Sequence, residues 1–203
     1  MAGGPKHFSE APREGAKRSG ARLRITGGSL QGLYVQVPDG IIRPSMDKMR
    51  ESVFASLGDL SGFSFLDLFS GSGIIALEAA SRGAVFVEAV ENDPLKKKIL
   101  LKNVSVSPVR INCRFISAEL YVQRTKRSFD YLFLDPPFPY RYKWELMARI
   151  AASPLVANES RIIIHRPRED FQKEEISLLM KEDTREYGRS VVDFFTVATG
   201  GDK

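Results

Sequence analysis

The sequence is sparing with the residues that cross-link a chain or cage a metal. One cysteine, Cys113, excludes an internal disulfide. Two histidines, His7 and His165, stand far apart with no partner cysteines, so no metal-ligand spacing is present and no metal is expected. No apolar run approaches the roughly 20 residues that span a bilayer, and the basic N-terminal stretch lacks the apolar segment of a secretory signal. These gaps point to a reducing, cytoplasmic setting without a membrane partner. Nothing in them demands more than a monomer.

What is present fits one α/β domain: 203 residues with 43% hydrophobic content are enough for a real core. Charge is unevenly placed. Lys6, Arg13, Lys17, Arg18, Arg22 and Arg24 are opposed only by Glu10 and Glu14 in the first 24 residues. With six glycines and prolines and few large apolar side chains, residues 1–21 cannot offset their ordering entropy and are expected to form a disordered basic arm. Two roles suit such an arm equally, tracking nucleic-acid phosphates by counterion displacement or solubilising the chain.

Residues 23–26 and 33–37 flank Gly27, Gly28 and Gly32, which predicts a hairpin. Met46, Met49, Val53, Phe54 and Leu57 then fall at helical spacing behind Ser45 as N-cap, predicting a helix over 46–57. From residue 63 the pattern alternates. Strands are expected at 63–69, 84–90, 110–116, 129–135 and 161–165, with helices at 74–82, 94–104, 119–126, 142–152 and 169–181. Strands separated by crossover helices lie parallel in one covered sheet. The stretches 183–187 and 191–197 around Gly188 break the rhythm and predict a closing antiparallel hairpin.

In such a sheet, ligands bind beyond the carboxyl ends of the strands, near the point where strand order reverses. The loop after the first strand reads Asp67, Leu68, Phe69, Ser70, Gly71, Ser72, Gly73. Its glycines permit close backbone approach to a ligand at a helix start. Gly71, Gly73 and Ala76 also satisfy the dinucleotide fingerprint, with Glu91 20 residues after Gly71, so a nicotinamide enzyme is an alternative. Asp67 argues for S-adenosylmethionine instead, because a carboxylate suits its ammonium and sulfonium better than a pyrophosphate. Asp67 also reads as a loop-capping residue. Glu91 and Asn92 end the second strand, where an acid can accept both ribose hydroxyls of an adenosine, and Asp93 before Pro94 reads as an N-cap.

The third loop is Asp135, Pro136, Pro137, Phe138, directly after an apolar strand. Two prolines fix the backbone and remove two amide donors, leaving the Pro136 carbonyl beside the Asp135 carboxylate. Paired acceptors are what an exocyclic base nitrogen needs: its lone pair is delocalised into the ring, and bonds to its hydrogens favour the charge that develops on methylation. Phe138 would stack on an extruded base. Alone, the tetrapeptide reads better as a rigid turn with an aromatic folded onto the core; its place after the fourth strand of a glycine-loop pattern favours the chemical reading.

At these residues the chain resembles the bacterial small-subunit ribosomal RNA guanine-N2 methyltransferases, the RsmD family. The resemblance runs from about Arg22 to Thr196 and includes the hairpin, RPSMDKMRESVF at 43–54, DLFSGSG at 67–73, LEAASRGA at 77–84, VEND at 90–93 and DPPF. It implies a Rossmann-like seven-stranded class I fold with an N-terminal hairpin and helix extension over 22–60 that covers the site, and a methyltransferase domain over 61–200. It also implies S-adenosylmethionine as donor, S-adenosylhomocysteine as product, and a guanine amino group of small-subunit rRNA or the 30S subunit as acceptor. Asp67, Phe69, Gly71, Ser72, Gly73, Glu91 and Asn92 are then expected at the cofactor, and Asp135, Pro136, Pro137 and Phe138 at the base. Arg22, Arg24, Arg43, Lys48 and Arg50 are the candidate RNA contacts, although the helix face with Asp47 and Glu51 also reads as a solvated, salt-bridged one.

Four positions depart from the family pattern. Leu33 stands where a basic residue is frequent, and Ala76 replaces a usual glycine. Ser117 replaces Asp or Asn, which passes the expected adenine contact to Ala118 or Glu119. His165 stands where an acid is common, and a lone histidine at a strand end reads as structural. Other acceptors (adenine N6 in DNA, glutamine in protein) and a non-catalytic RNA-binding assembly factor are the competing readings.

Overall fold

The computed structural model describes residues 21–37, 44–170 and 175–198. The basic arm over residues 1–20, Arg43, and residues 171–174 of the helix expected over 169–181 lie outside that description.

Strands β1 (Arg22–Arg24) and β2 (Tyr34–Gln36) pair antiparallel, with Leu23 opposite Val35. Helix α1 (Pro44–Leu57) follows. It begins at Pro44, so Ser45 is inside the helix rather than capping it; proline's fixed φ and missing amide suit a first helical position. The alternating unit then runs β3 (Ser64–Leu68), α2 (Ile74–Ser81), β4 (Phe86–Val90), α3 (Lys97–Val104), β5 (Ile111–Arg114), α4 (Ala118–Arg124), β6 (Tyr131–Leu134), α5 (Lys143–Ala151) and β7 (Arg161–Pro167). It closes with β8 (Leu179–Tyr187) and β9 (Ser190–Val197).

Seven strands form one sheet in the order β5-β4-β3-β6-β7-β9-β8. The first five in chain order are parallel, and β9 runs antiparallel to both β7 and β8. Strand order reverses between β3 and β6, which places the loops after β3, β4 and β6 around one crevice. This is the Rossmann-like class I methyltransferase architecture.

The helix expected over 169–181 is absent from its described residues: 169–170 and 175–178 are turn or irregular, and 179–181 are strand. Leu179 pairs with Val197 and Met180 with Thr196, and these ladder bonds override a weak local helical pattern. The resulting edge strand carries Lys181, Glu182, Asp183 and Arg185, charges that discourage pairing with another chain. Beneath it Asp193, fully buried, accepts from Arg166 Nε and from Thr184 Oγ1, each at 2.6 Å.

The sheet is covered on both faces. One apolar layer joins Phe65, Leu77, Val87 and Phe133 to Ile25, Val35, Met49, Val53 and Phe54 of the hairpin and α1. The other joins Leu66, Leu68, Leu132 and Ile164 to Met147 and Ile150 of α5. Each fully buried side chain of this size contributes about 1.5–3 kcal/mol. The N-terminal extension therefore shares the main core.

A buried ion cluster fixes the extension to α2. Glu78, with no exposed surface, accepts from Thr26 N at 2.8 Å, Thr26 Oγ1 at 3.0 Å and Arg50 Nε at 3.0 Å, and pairs closely with Arg82. Arg50 also donates to the Arg24 carbonyl at 2.8 Å and lies 3.0 Å from Asp47. Ser81 Oγ adds bonds to Gly27 O and Leu30 N.

Candidate active site

The three loops meet as expected. A cavity of about 440 Å³ is lined by Phe69, Ser70, Gly71 and Ser72 after β3, by Glu91 and Lys96 after β4, and by Asp135 through Phe138 after β6. Leu23 and Val37 at the hairpin, Met46 of α1, Ile74 and Ile75 of α2 and His165 of β7 complete the wall, and Asp67 is not part of it. A larger hollow of about 830 Å³ around Trp144 and Asp170 also touches Phe138 but is lined by neither Glu91 nor Asp135.

The glycine turn is built for close approach. Phe69 takes a left-handed φ of 67°, and Gly71 and Gly73 have φ of 56° and 81°. A Cβ at Gly73 would meet Leu100 Cδ1 at 2.5 Å, so this glycine lets α3 pack under the turn, whereas the space beside Gly71 is open. Asn103 ties the same turn to the hairpin, donating to Ser72 O at 2.8 Å and to Gln36 O at 2.7 Å.

Asp67 has no exposed surface. Its Oδ2 accepts from Ala76 N at 3.2 Å, while Oδ1 is buried without a hydrogen-bond partner among the described residues. Burial raises its pKa well above the ordinary aspartate value; the Ser70 hydroxyl and Ala76 amide oppose this, and the charges of Asp135 and Glu91 add to it. Glu91 is itself oriented by amides, accepting from Gly71 N at 2.7 Å and Asp93 N at 2.8 Å. Its charge is only loosely offset by Lys96 Nζ at 3.7 Å.

Two carboxylates at the cavity, Glu91 and Asp135, with Asp67 buried outside its lining, favour a ligand that brings positive charge over a pyrophosphate. Among the described residues no group of three or more His, Cys, Asp or Glu is placed to hold a metal.

The Asp135 amide donates to Leu68 O at 3.3 Å, tying the third loop to the first. Pro137 O accepts from Tyr140 N at 2.8 Å, closing a turn, while no described backbone amide donates to Pro136 O. Asp135 Oδ1 lies 2.8 Å from Nδ1 of His165, and the His165 ring packs edge-on to Phe138 at 5.7 Å.

The match to the family model described as Conserved hypothetical protein 95 runs over residues 23–196. The chain belongs to that family. Ribosomal RNA small subunit methyltransferase D of Escherichia coli (strain K12) is 32% identical over 121 residues, 58% of this chain and 61% of that protein. Putative rRNA methyltransferase YlbH of Bacillus subtilis (strain 168) is 28% identical over 85% of this chain and 98% of its own length. Among solved structures, the putative methyltransferase yhhF from Escherichia coli superimposes with a TM-score of 0.79 at 25% identity, covering 87% of this chain and 98% of that one. The family resemblance read from the motifs is thereby borne out, as is the fold it implied.

Other site residues fall differently from expectation. Asn92 is exposed, Ala118 buried and Glu119 half-buried, and all three lie outside the cavity lining. Ser117 caps α4 by accepting from Leu120 N at 3.2 Å, which accounts for a serine there. Glu119 accepts from the Tyr140 hydroxyl at 2.5 Å, and the Tyr140 ring packs on Phe69 at 5.4 Å, so this pair ties α4 to the glycine loop. Burial acts to raise the Glu119 pKa, yet the Tyr140, backbone and Ser117 hydrogen bonds leave it below its ordinary value.

Of the basic candidates, Arg22, Arg24 and Lys48 are exposed and available to a polyanion. Arg50 is not. It is 3% exposed and spent on Glu78, Asp47 and the Arg24 carbonyl, so its assignment as an RNA contact is corrected to a structural one. The sequence reading took His165 as structural and did not pair it with Asp135. The available signal was strand register: parallel β6 and β7 put the residues that follow Leu134 and precede Arg166 side by side.

Proposed function

We propose that the protein transfers the methyl group of S-adenosylmethionine to the exocyclic N2 amino group of a guanine in small-subunit rRNA. The observation that carries this reading is the single cavity onto which the acidic glycine loop and the Asp135–Phe138 loop both open. Relatives named ribosomal RNA small subunit methyltransferase D support this acceptor class.

When bound, the cofactor supplies an electrophilic methyl on a sulfonium. Gly71 and Ser72 would lie against its chain and Glu91 would accept from the ribose hydroxyls, while Asp67, buried and outside the cavity lining, would act on its ammonium by charge rather than by contact. Asp135 and the Pro136 carbonyl would accept the two amino hydrogens of the base, with Phe138 stacked on its ring. As the new N–C bond forms and the S–C bond breaks, positive charge grows on the nitrogen, where two fixed acceptors stabilise it most. Asp135 then takes one of the nitrogen's protons, returning it to neutrality. Arg22, Arg24 and Lys48 would meet phosphates without reading sequence.

The test is methyl transfer from labelled S-adenosylmethionine to unmodified small subunits, free rRNA, DNA and protein side by side, followed by nucleoside analysis. N2-methylguanine in small-subunit RNA is expected. Label in DNA adenine or protein glutamine, or in no acceptor, overturns the reading.

A further inference from the structure

The β6–β7 ladder ends with Leu134 opposite Ile164, so Asp135 and His165 are the next residues on adjacent parallel strands. His165 is held on its other side by β9, opposite Val192, and is 1% exposed. Its Nδ1 lies 2.8 Å from Asp135 Oδ1, and its Nε2 is buried with no hydrogen-bond partner among the described residues. The ring packs at 62° against Phe138. An ionised carboxylate only accepts hydrogen bonds, so the hydrogen between the two groups belongs to Nδ1. The opposite tautomer would set two lone pairs against each other and bury an Nε2–H with no acceptor.

We propose that His165 is the positioning residue of the methyl-transfer site: its Nδ1–H holds Asp135 Oδ1, leaving Oδ2 directed to the amino group of the base, while its ring seats Phe138. This rests on the reading of Asp135 as the amino acceptor. The arrangement fits the mechanics of a carboxylate that must grip one hydrogen of an NH2 held in a fixed plane. Without the imidazole, Asp135, whose side chain keeps 26% of its surface exposed, could turn between solvent and the base.

Two measurements test it. In 15N spectra of the full chain, with His7→Gln used for assignment, His165 should show a protonated Nδ1 and an unprotonated Nε2, and Asp135→Ala should shift the Nδ1 signal. A protonated Nε2 with bare Nδ1, or a spectrum unmoved by Asp135→Ala, overturns the pairing. In methyl transfer to unmodified small subunits, His165→Asn places an amide donor where Nδ1 was and should keep kcat within about threefold of the parent, whereas His165→Gln and His165→Ala should lose roughly 10- to 100-fold in kcat, the loss expected for a hydrogen bond to a charged group. Cofactor Kd and RNA KM should stay unchanged. Equal losses in all three variants, or losses confined to KM, overturn the positioning role. If the parent protein methylates nothing, the functional reading fails, and the imidazole spectrum still decides the pairing.

Discussion

Glu91 Oε2 accepts the Gly71 amide at 2.7 Å, so the acid that ends β4 and the turn that follows β3 are one mechanical unit. Removing the carboxylate frees the Gly71 amide and deletes the proposed ribose acceptor at once. Glu91→Ala should weaken S-adenosylmethionine binding by roughly 10- to 100-fold, corresponding to about 1.5–3 kcal/mol for a charged hydrogen bond. Calorimetric titration checks it; wild-type affinity would remove Glu91 from the cofactor site.

Asp135→Ala should behave in the opposite way. Its acceptor acts on the charge that grows in the transition state, so kcat should fall by about 10²- to 10³-fold with cofactor Kd unchanged. Single-turnover methylation measures the first quantity, and the same calorimetry measures the second.

Asp67 gives a pH signature. Its pKa is raised above the ordinary 3.8 in the folded state, chiefly by burial, so between those two values the folded protein binds more protons than the unfolded one. The stabilising contribution is complete below the ordinary value and is lost as pH rises through the raised one. Cofactor-free protein should therefore lose stability over that interval, and Asp67→Asn should flatten the slope. A bound ammonium favours the carboxylate, so cofactor binding should release protons there. Denaturation across a pH series, and calorimetry in buffers of different ionisation enthalpy, test the two halves.

Glu78→Ala should destabilise the fold by about 3–5 kcal/mol, because it leaves Arg50 and Arg82 buried or nearly so without their shared anion. Urea unfolding reads the loss. Arg50→Ala should likewise lower stability. If it instead left stability intact and reduced the salt dependence of RNA binding, the structural assignment of Arg50 would be wrong.

Deleting residues 1–20 should weaken RNA binding and flatten its dependence on salt concentration, since each phosphate contact releases counterions. Binding measured across a salt series decides between a phosphate-tracking arm and a solubilising one.

The sequence by itself determined the strand–helix alternation up to β7, the three loops that line one cavity, and the family. These follow from short-range rules: apolar periodicity, turn glycines, and paired prolines after an apolar strand. It misplaced a helix at 169–181, because the helical pattern there is weak and, for 179–181, the pairing partner that overrules it, β9, lies beyond the next turn. It could not separate a solvated Arg50 from a buried one, since the acid that claims it, Glu78, is 28 residues away on another helix. It read His165 as structural and gave it no partner, since only the side-by-side packing of β6 and β7 brings the imidazole to Asp135. Residue type and spacing fix which groups a chain owns; which of them share a hydrogen depends on strand register and burial, and those are set when distant segments pack.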